Sequence, residues 1–286
     1  MAQEKDYKFE SDSKTMKRLD DSLAGKSFRL VMDDGRETVM SFLTGETMLI
    51  GEYGEAMRWE HYGALAADDT TYMVSFERFG QSERLCQTYV LDFENWLVTR
   101  VTARQHVKNL NPRMTLVAVT FGAIKRDFED LPMKRHSFTM ELVGKKITWH
   151  YPNGFINTHI YYDANYYSFE IQQPGKIDPK LSPEARARQE AEDKEAMEMK
   201  YDEPAYYVRI KEGIYLICFT ENNVTRINPT RGGGNLVILI NTKTHSDVCR
   251  LFTHNREMEP MWGLSRAYGE LEDDEKFPQR KRVFGV

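Results

Sequence analysis

The chain has 286 residues, 41% hydrophobic and 12% aromatic, with a net charge of -5. That length suffices for two domains that each bury a core, and Lys and Arg lie scattered among Asp and Glu, which disfavours a nucleic-acid partner. The opening MAQEKDYKFESDSK has no apolar leader, and runs such as LVILI at 236–240 are too short to cross a bilayer, so a soluble, cytoplasmic protein without a membrane partner is expected.

In chain order, residues 1–23 form a polar N-terminal segment. GKSFRLVMDDGR (25–36) then reads as a strand closed by a turn, and TYMVSFERF (71–79), QTYVLDF (87–93) and RMTLVAVTF (113–121) continue in period two, with β-branched and aromatic residues bounded by turn formers. After a linker at 123–141 the opening is written again: GKKITWHYPNGF (144–155) has Gly-Lys at its start and Asn-Gly at its end, as 25–36 has Gly-Lys and Asp-Gly. NTHIYY (157–162), YYSFEI (166–171), AYYVRI (205–210), GIYLICFTE (213–221) and NLVILINT (235–242) are further strands. From Gly25 to Tyr72 is 47 positions and from Gly144 to Tyr215 is 71, so the second copy carries 71 - 47 = 24 extra residues.

A charged segment at 175–199 accounts for that excess. It lacks a strand pattern, but Ser182 reads as an N-cap, Pro183 as the first helical residue and Glu184 as a first-turn acid. The expected architecture is all-β: two tandem antiparallel barrels at 24–122 and 142–263, the second with a helical insertion at 175–199, then a polar C-terminal tail at 264–286. Cys86, Cys218 and Cys249 have no CxxC spacing and read as core thiols.

Motifs for bound nucleotide, phosphate or catalytic zinc are missing, and no cofactor or metal is expected. His159 and Tyr161 share a strand face, as metal ligands or as wall residues of a barrel. Parity also places Tyr215, Phe219 and Glu221 together, and Trp149 with Tyr151. Glu221 is then either an acid ending an aromatic face or the solvated last residue of its strand.

GKKITWHYPNGF with AYYVRIKEGIYLICFTE resembles the phenolic acid decarboxylases, which are small lipocalin-like barrels. Both repeats and HIYY at 159–162 resemble the molybdenum-cofactor biosynthesis protein F family, whose members carry two calycin (lipocalin-like) repeats in tandem. The first resemblance implies that Glu221 is the acid that protonates the substrate's alkene and that Tyr151 helps to hold the substrate. Trp149 replaces the family's other tyrosine. The family's Arg-Trp pair has no match in the second repeat, where Arg186 and Arg188 are the substitutes on offer. It does occur in the first repeat, as Arg58 and Trp59, but there Leu30, Met32 and Arg78 stand at the places of the two tyrosines and the acid.

The expected function is therefore binding of a small aromatic, phenolic molecule in the second barrel and cofactor-free lyase or isomerase chemistry on it. Glu221 and Tyr151 would be catalytic, and Trp149, His159, Tyr161, Tyr215, Phe219, Arg58 and Trp59 would bind the ligand. The alternative is a calycin carrier or sensor that leaves its ligand unchanged. Self-association through the first barrel stays open.

Overall fold

Alternating β-branched and aromatic runs form strands almost throughout a computed structural model, which describes residues 21–106, 115–151, 153–198, 202–221, 234–254 and 260–273. The first sheet contains β1 (Ser27–Met32), β2 (Glu37–Phe42), β3 (Thr47–Glu52), β4 (Arg58–His61), β5 (Gly63–Asp68), β6 (Thr71–Phe79), β7 (Glu83–Asp92), β8 (Leu97–His106) and β9 (Thr115–Lys125). Its order is β4-β3-β2-β1-β9-β8-β7-β6-β5. The two end strands, β4 and β5, follow each other in the chain through Tyr62, and the sheet curls about one core that includes Leu30, Met40, Phe42, Phe76 and Ile124.

The second sheet contains β10 (Ser137–Phe138), β11 (Lys145–His150), β12 (Ile156–Asp163), β13 (Tyr166–Gln173), β14 (Asp202–Lys211), β15 (Ile214–Thr220), β16 (Asn235–Asn241), β17 (Ser246–His254) and β18 (Pro260–Asp273). The strands from β11 to β18 form a closed eight-stranded antiparallel barrel, because β14 pairs with both β13 and β15. Closure leaves it no free edge. Its core includes Trp149, Tyr161, Tyr167, Tyr207 and Phe219.

The same hydrogen bonds recur in the two sheets. Gly25 N–H donates to Phe42 C=O and Gly144 N–H to Tyr161 C=O, both glycines having positive φ. Asp92 Oδ1 caps the turn after β7 by accepting from Glu94 and Asn95, as Asn241 Oδ1 accepts from Lys243 and Thr244 after β16. The left-handed Trp96 accepts from Ile124 N–H through its carbonyl, as the left-handed His245 accepts from Gly269 N–H. These bonds give a position-by-position correspondence between the sheets.

The outer faces of the sheets pack together. Leu65, Met73, Val90 and Val101 meet Val208, Ile214, Leu216 and Val237 in one buried cluster. Arg84 and Arg250 are buried at this junction, where Arg250 Nε donates to Thr88 Oγ1 at 2.9 Å and Lys211 pairs with Asp68 and Glu94 at 2.8 Å. The linker is pinned by His136, buried between Thr99 Oγ1 (2.7 Å) and Asp92 Oδ2 (3.5 Å).

Helix α1 (Pro183–Glu198) lies between β13 and β14 and packs on β13. Ser182 Oγ accepts from Ala185 N–H at 3.2 Å, the expected N-cap, and Ala196 is its one buried residue. Met199, the expected helix end, and the segments 1–20 and 274–286 lie outside the described residues. The expected tail at 264–286 needs correction, because β18 runs to Asp273 and completes the barrel by pairing with β11. Its inward residues include Ala267 and Gly269, too small to show an apolar alternation. Cys86, Cys218 and Cys249 are free and buried.

Candidate functional site

Parity along β15 separates two environments. Tyr215, Ile217 and Phe219 pack into the barrel core, whereas Leu216 and Cys218 pack into the junction between the sheets. On β17 the same rule sends Cys249 into the barrel core and Val248 to the junction, so Asp247 faces inward with Cys249.

Trp149 is fully buried on β11. It stands across from Gly269, and this glycine is required: a Cβ there would lie 2.7 Å from Trp149 Cε3 and 2.8 Å from Ile147 Cγ2. The indole N–H sits beside the Tyr161 hydroxyl without reaching hydrogen-bond geometry. His159 and Tyr161 follow on β12, both buried. Asn157 Nδ2 lies 3.0 Å from His159 Nε2, and His159 Nδ1 lies 3.4 Å from the Tyr161 hydroxyl. Burial without a nearby carboxylate partner pushes the His159 pKa down to about 3, so the ring is neutral at physiological pH. Phe219 closes the group, its ring 5.5 Å from His159 and 4.2 Å from Tyr167.

Tyr151 follows β11. The residue is half-buried, while its hydroxyl is deep among Asp247, Cys249, Tyr161 and Glu221, and burial holds its pKa well above the ordinary phenol value. Glu221 lies one residue past β15, half-buried, its N–H donating to Gly234 C=O at 2.8 Å. Burial raises the pKa of Tyr151, Tyr167 and Cys249, and the Glu221 charge adds to the shift at each of them.

Three expected ligand contacts lie elsewhere. Tyr215 packs its ring against the core, but its hydroxyl donates to Glu141 Oε2 at 2.7 Å in an exposed contact, so it offers no interior polar group. Burial and that carboxylate raise its pKa to about 12. Arg58 and Trp59 sit on the first sheet. Trp59 is 52% exposed and packs on His61, and exposed Arg58 pairs with Glu60 at 3.4 Å. On the short strand β4, parity turns Trp59 away from the core.

Sequence reasoning missed two interior acids. Asp247 is fully buried, and its Oδ1 accepts from Ala267 N–H at 2.7 Å. Burial pushes its pKa up to about 8, against the lowering effect of that hydrogen bond and of Arg266. It is therefore mostly protonated at neutral pH. Glu203 is fully buried across from Tyr167 on β13. Asp247 stands just after the turn sequence NTKTH and Glu203 just before Pro204, so both read as loop residues; only parity with Cys249 and with Ala205 marks them as inward.

No model of a known protein family matches the chain, and no curated protein is significantly similar to it in sequence. Among the described residues, no helix is long and apolar enough to cross a membrane, and no cluster of three or more His, Cys, Asp or Glu side chains is placed to hold a metal.

Proposed function

We propose that the two β-units are tandem lipocalin-like barrels of the molybdenum-cofactor biosynthesis protein F type. In this reading the second barrel binds a small aromatic, phenolic molecule and acts on it as a cofactor-free lyase or isomerase. One observation carries the reading. At positions related by the recurring hydrogen bonds, Leu30, Met32, Thr38, Met40, Phe42 and Val98 of the first unit give way to Trp149, Tyr151, Asn157, His159, Tyr161 and Asp247 in the second. A core gains nothing from such an exchange, since each polar group brought inside costs free energy unless it finds a partner. Trp149 Nε1, Asn157 Oδ1 and Asp247 Oδ2 are buried with no hydrogen-bond partner. A ligand with an aromatic body and a few polar atoms would satisfy them.

Glu221 supplies the proton in this reading, with Tyr151 orienting the ligand; the helix Pro183–Glu198, which we read as an insertion relative to the first unit, packs on β13 of the same barrel. Incubating the protein with hydroxycinnamates and following their ultraviolet absorbance tests it. A time-dependent spectral change that Glu221→Gln removes, with affinity kept within about tenfold, is expected, because the amide preserves shape but has no useful proton to give. Full turnover in the Gln variant would remove Glu221 from the chemistry.

The carrier reading is favoured by a different observation. Tyr151, His159, Tyr161, Tyr167, Asp247 and Cys249 all have pKa values shifted so that the neutral form prevails at pH 7. Such a lining suits binding without turnover, and a reversible spectral shift constant in time would select it.

A further inference from the structure

We propose that Asp247 is the residue that holds the ligand in the second barrel, donating a hydrogen bond from Oδ2 to an acceptor oxygen, the phenolic or carbonyl oxygen of a conjugated ligand. The proposal rests on the second barrel being the ligand site and assigns the polar end of the ligand within it. Asp247 is 1% exposed and shares its face with Cys249. Its cross-strand neighbours, Ile240 on one side and Ala267 on the other, both belong to the barrel core. One step beyond the His150–Tyr268 pair, Tyr151 comes beside Ala267, so Tyr151, Ala267 and Asp247 form a row across three strands. The methyl group of Ala267 leaves the two flanking side chains adjacent.

The groups facing Asp247 are Tyr151 beyond β11, Tyr161 on β12 and Cys249 on its own strand, with Arg266 acting from β18; β16 contributes the apolar Ile240. Oδ1 is occupied by the Ala267 N–H, and Oδ2 has no hydrogen-bond partner. A carboxylic acid carries its proton as a donor, and a buried donor left unmade is costly. Burial also keeps that proton in place at neutral pH. The Trp149 indole N–H is a second unpartnered donor on the same interior. Two unpartnered donors call for an oxygen acceptor. If charge develops on that oxygen as a proton or carbon dioxide leaves elsewhere on the conjugated system, the hydrogen bonds strengthen, and the Asp247 proton stays on Asp247.

The test uses the full chain labelled with 13C at the aspartate side-chain carboxyl, infrared difference spectroscopy, and 4-nitrophenol as probe. The label separates aspartates from Glu203 and Glu221. The expected result is a protonated-carboxyl carbonyl band that carries the isotope shift, is lost in Asp247→Asn, titrates near pH 8 and moves when 4-nitrophenol binds. Asp247→Asn keeps an N–H donor and should bind within about tenfold of wild type, whereas Asp247→Val, which copies Val98, should bind at least about tenfold more weakly. The assignment is overturned if wild type binds 4-nitrophenol and the band does not move, or if the Val variant binds as tightly as wild type. Should the Val variant fail to fold, the band of the unaltered chain still decides. If wild type does not bind 4-nitrophenol at all, the reading of the barrel as a phenol site falls and takes this assignment with it.

Discussion

At one place in the two β-units the chain sets Leu30 against Ile124, and at the corresponding place Trp149 against Gly269. Both pairs fill a similar volume, but the second concentrates it in one ring that carries an N–H. Nearby, Arg78 of the first unit is ion-paired with Glu60, and its guanidinium lies 4.8 Å from the Phe76 ring. In the second unit Phe219, Glu203 and Glu221 stand at the places of Phe76, Glu60 and Arg78. The first interior thus matches acid with base, while the second gathers acids, phenols and an indole. The difference teaches that one strand plan tolerates opposite interiors as long as volume is conserved and each polar group ends neutral or paired.

The sharpest way to break the comparison is to exchange the packed pair. Gly269→Ile should cost about 3 kcal/mol or more through overpacking against the indole, and Trp149→Leu about 3 kcal/mol through the void it leaves. The double variant, which restores the Leu–Ile pair of the first unit, should recover at least about half of the summed loss. A double-mutant cycle by urea unfolding measures that coupling; strict additivity would mean the two positions do not correspond.

Next in size is the buried acid. The Asp247 pKa is raised to about 8 in the fold from an unfolded value near 3.8, so its protonated form supports the native state fully below pH 4. That support is lost as pH rises toward 8, because the unfolded chain ionises freely in this range while the native chain holds its proton. Asp247→Asn should flatten the fall and stabilise the protein at pH 8 by several kcal/mol. Equal pH dependence in variant and wild type would contradict the assignment. In the first unit, Arg78→Glu copies Glu221 and places a second carboxylate against Glu60. A loss of about 2–3 kcal/mol is expected at pH 7 and a smaller one at pH 4, where protonation relieves the repulsion. The smallest effect should be that of Ser182→Ala, about 1 kcal/mol, seen as local fraying of the helix in hydrogen exchange while both β-units stay unchanged.

Much of this contrast is legible in the sequence because it rests on period two. The Gly25 and Gly144 openings, the inward direction of Trp149, His159, Tyr161 and Phe219, and the helix that begins at Pro183 all follow from alternation and capping signals. What stays hidden depends on contacts between distant segments. Gly269 looks like a break in the last strand until Trp149 is seen above it, and so that strand reads as a tail. Asp247 reads as turn chemistry because residues 242–246 are polar, and only the closed barrel buries it. Tyr215 obeys parity, yet its hydroxyl reaches past the core to Glu141, a partner in the linker that no local pattern reveals. Arg58 and Trp59 were expected at the site by resemblance alone, and both side chains are exposed on a short strand whose inward acid is Glu60.

The central claim, that the polar interior of the second unit is the ligand site, is tested most directly by binding of 4-hydroxycinnamate to the Trp149→Leu, Gly269→Ile double variant. Wild type should shift the ligand's absorbance on binding, and the folded double variant, with the indole donor gone, should bind at least about tenfold more weakly. Equal binding by the two proteins, or a ligand that proves to sit in the first unit, would contradict the account.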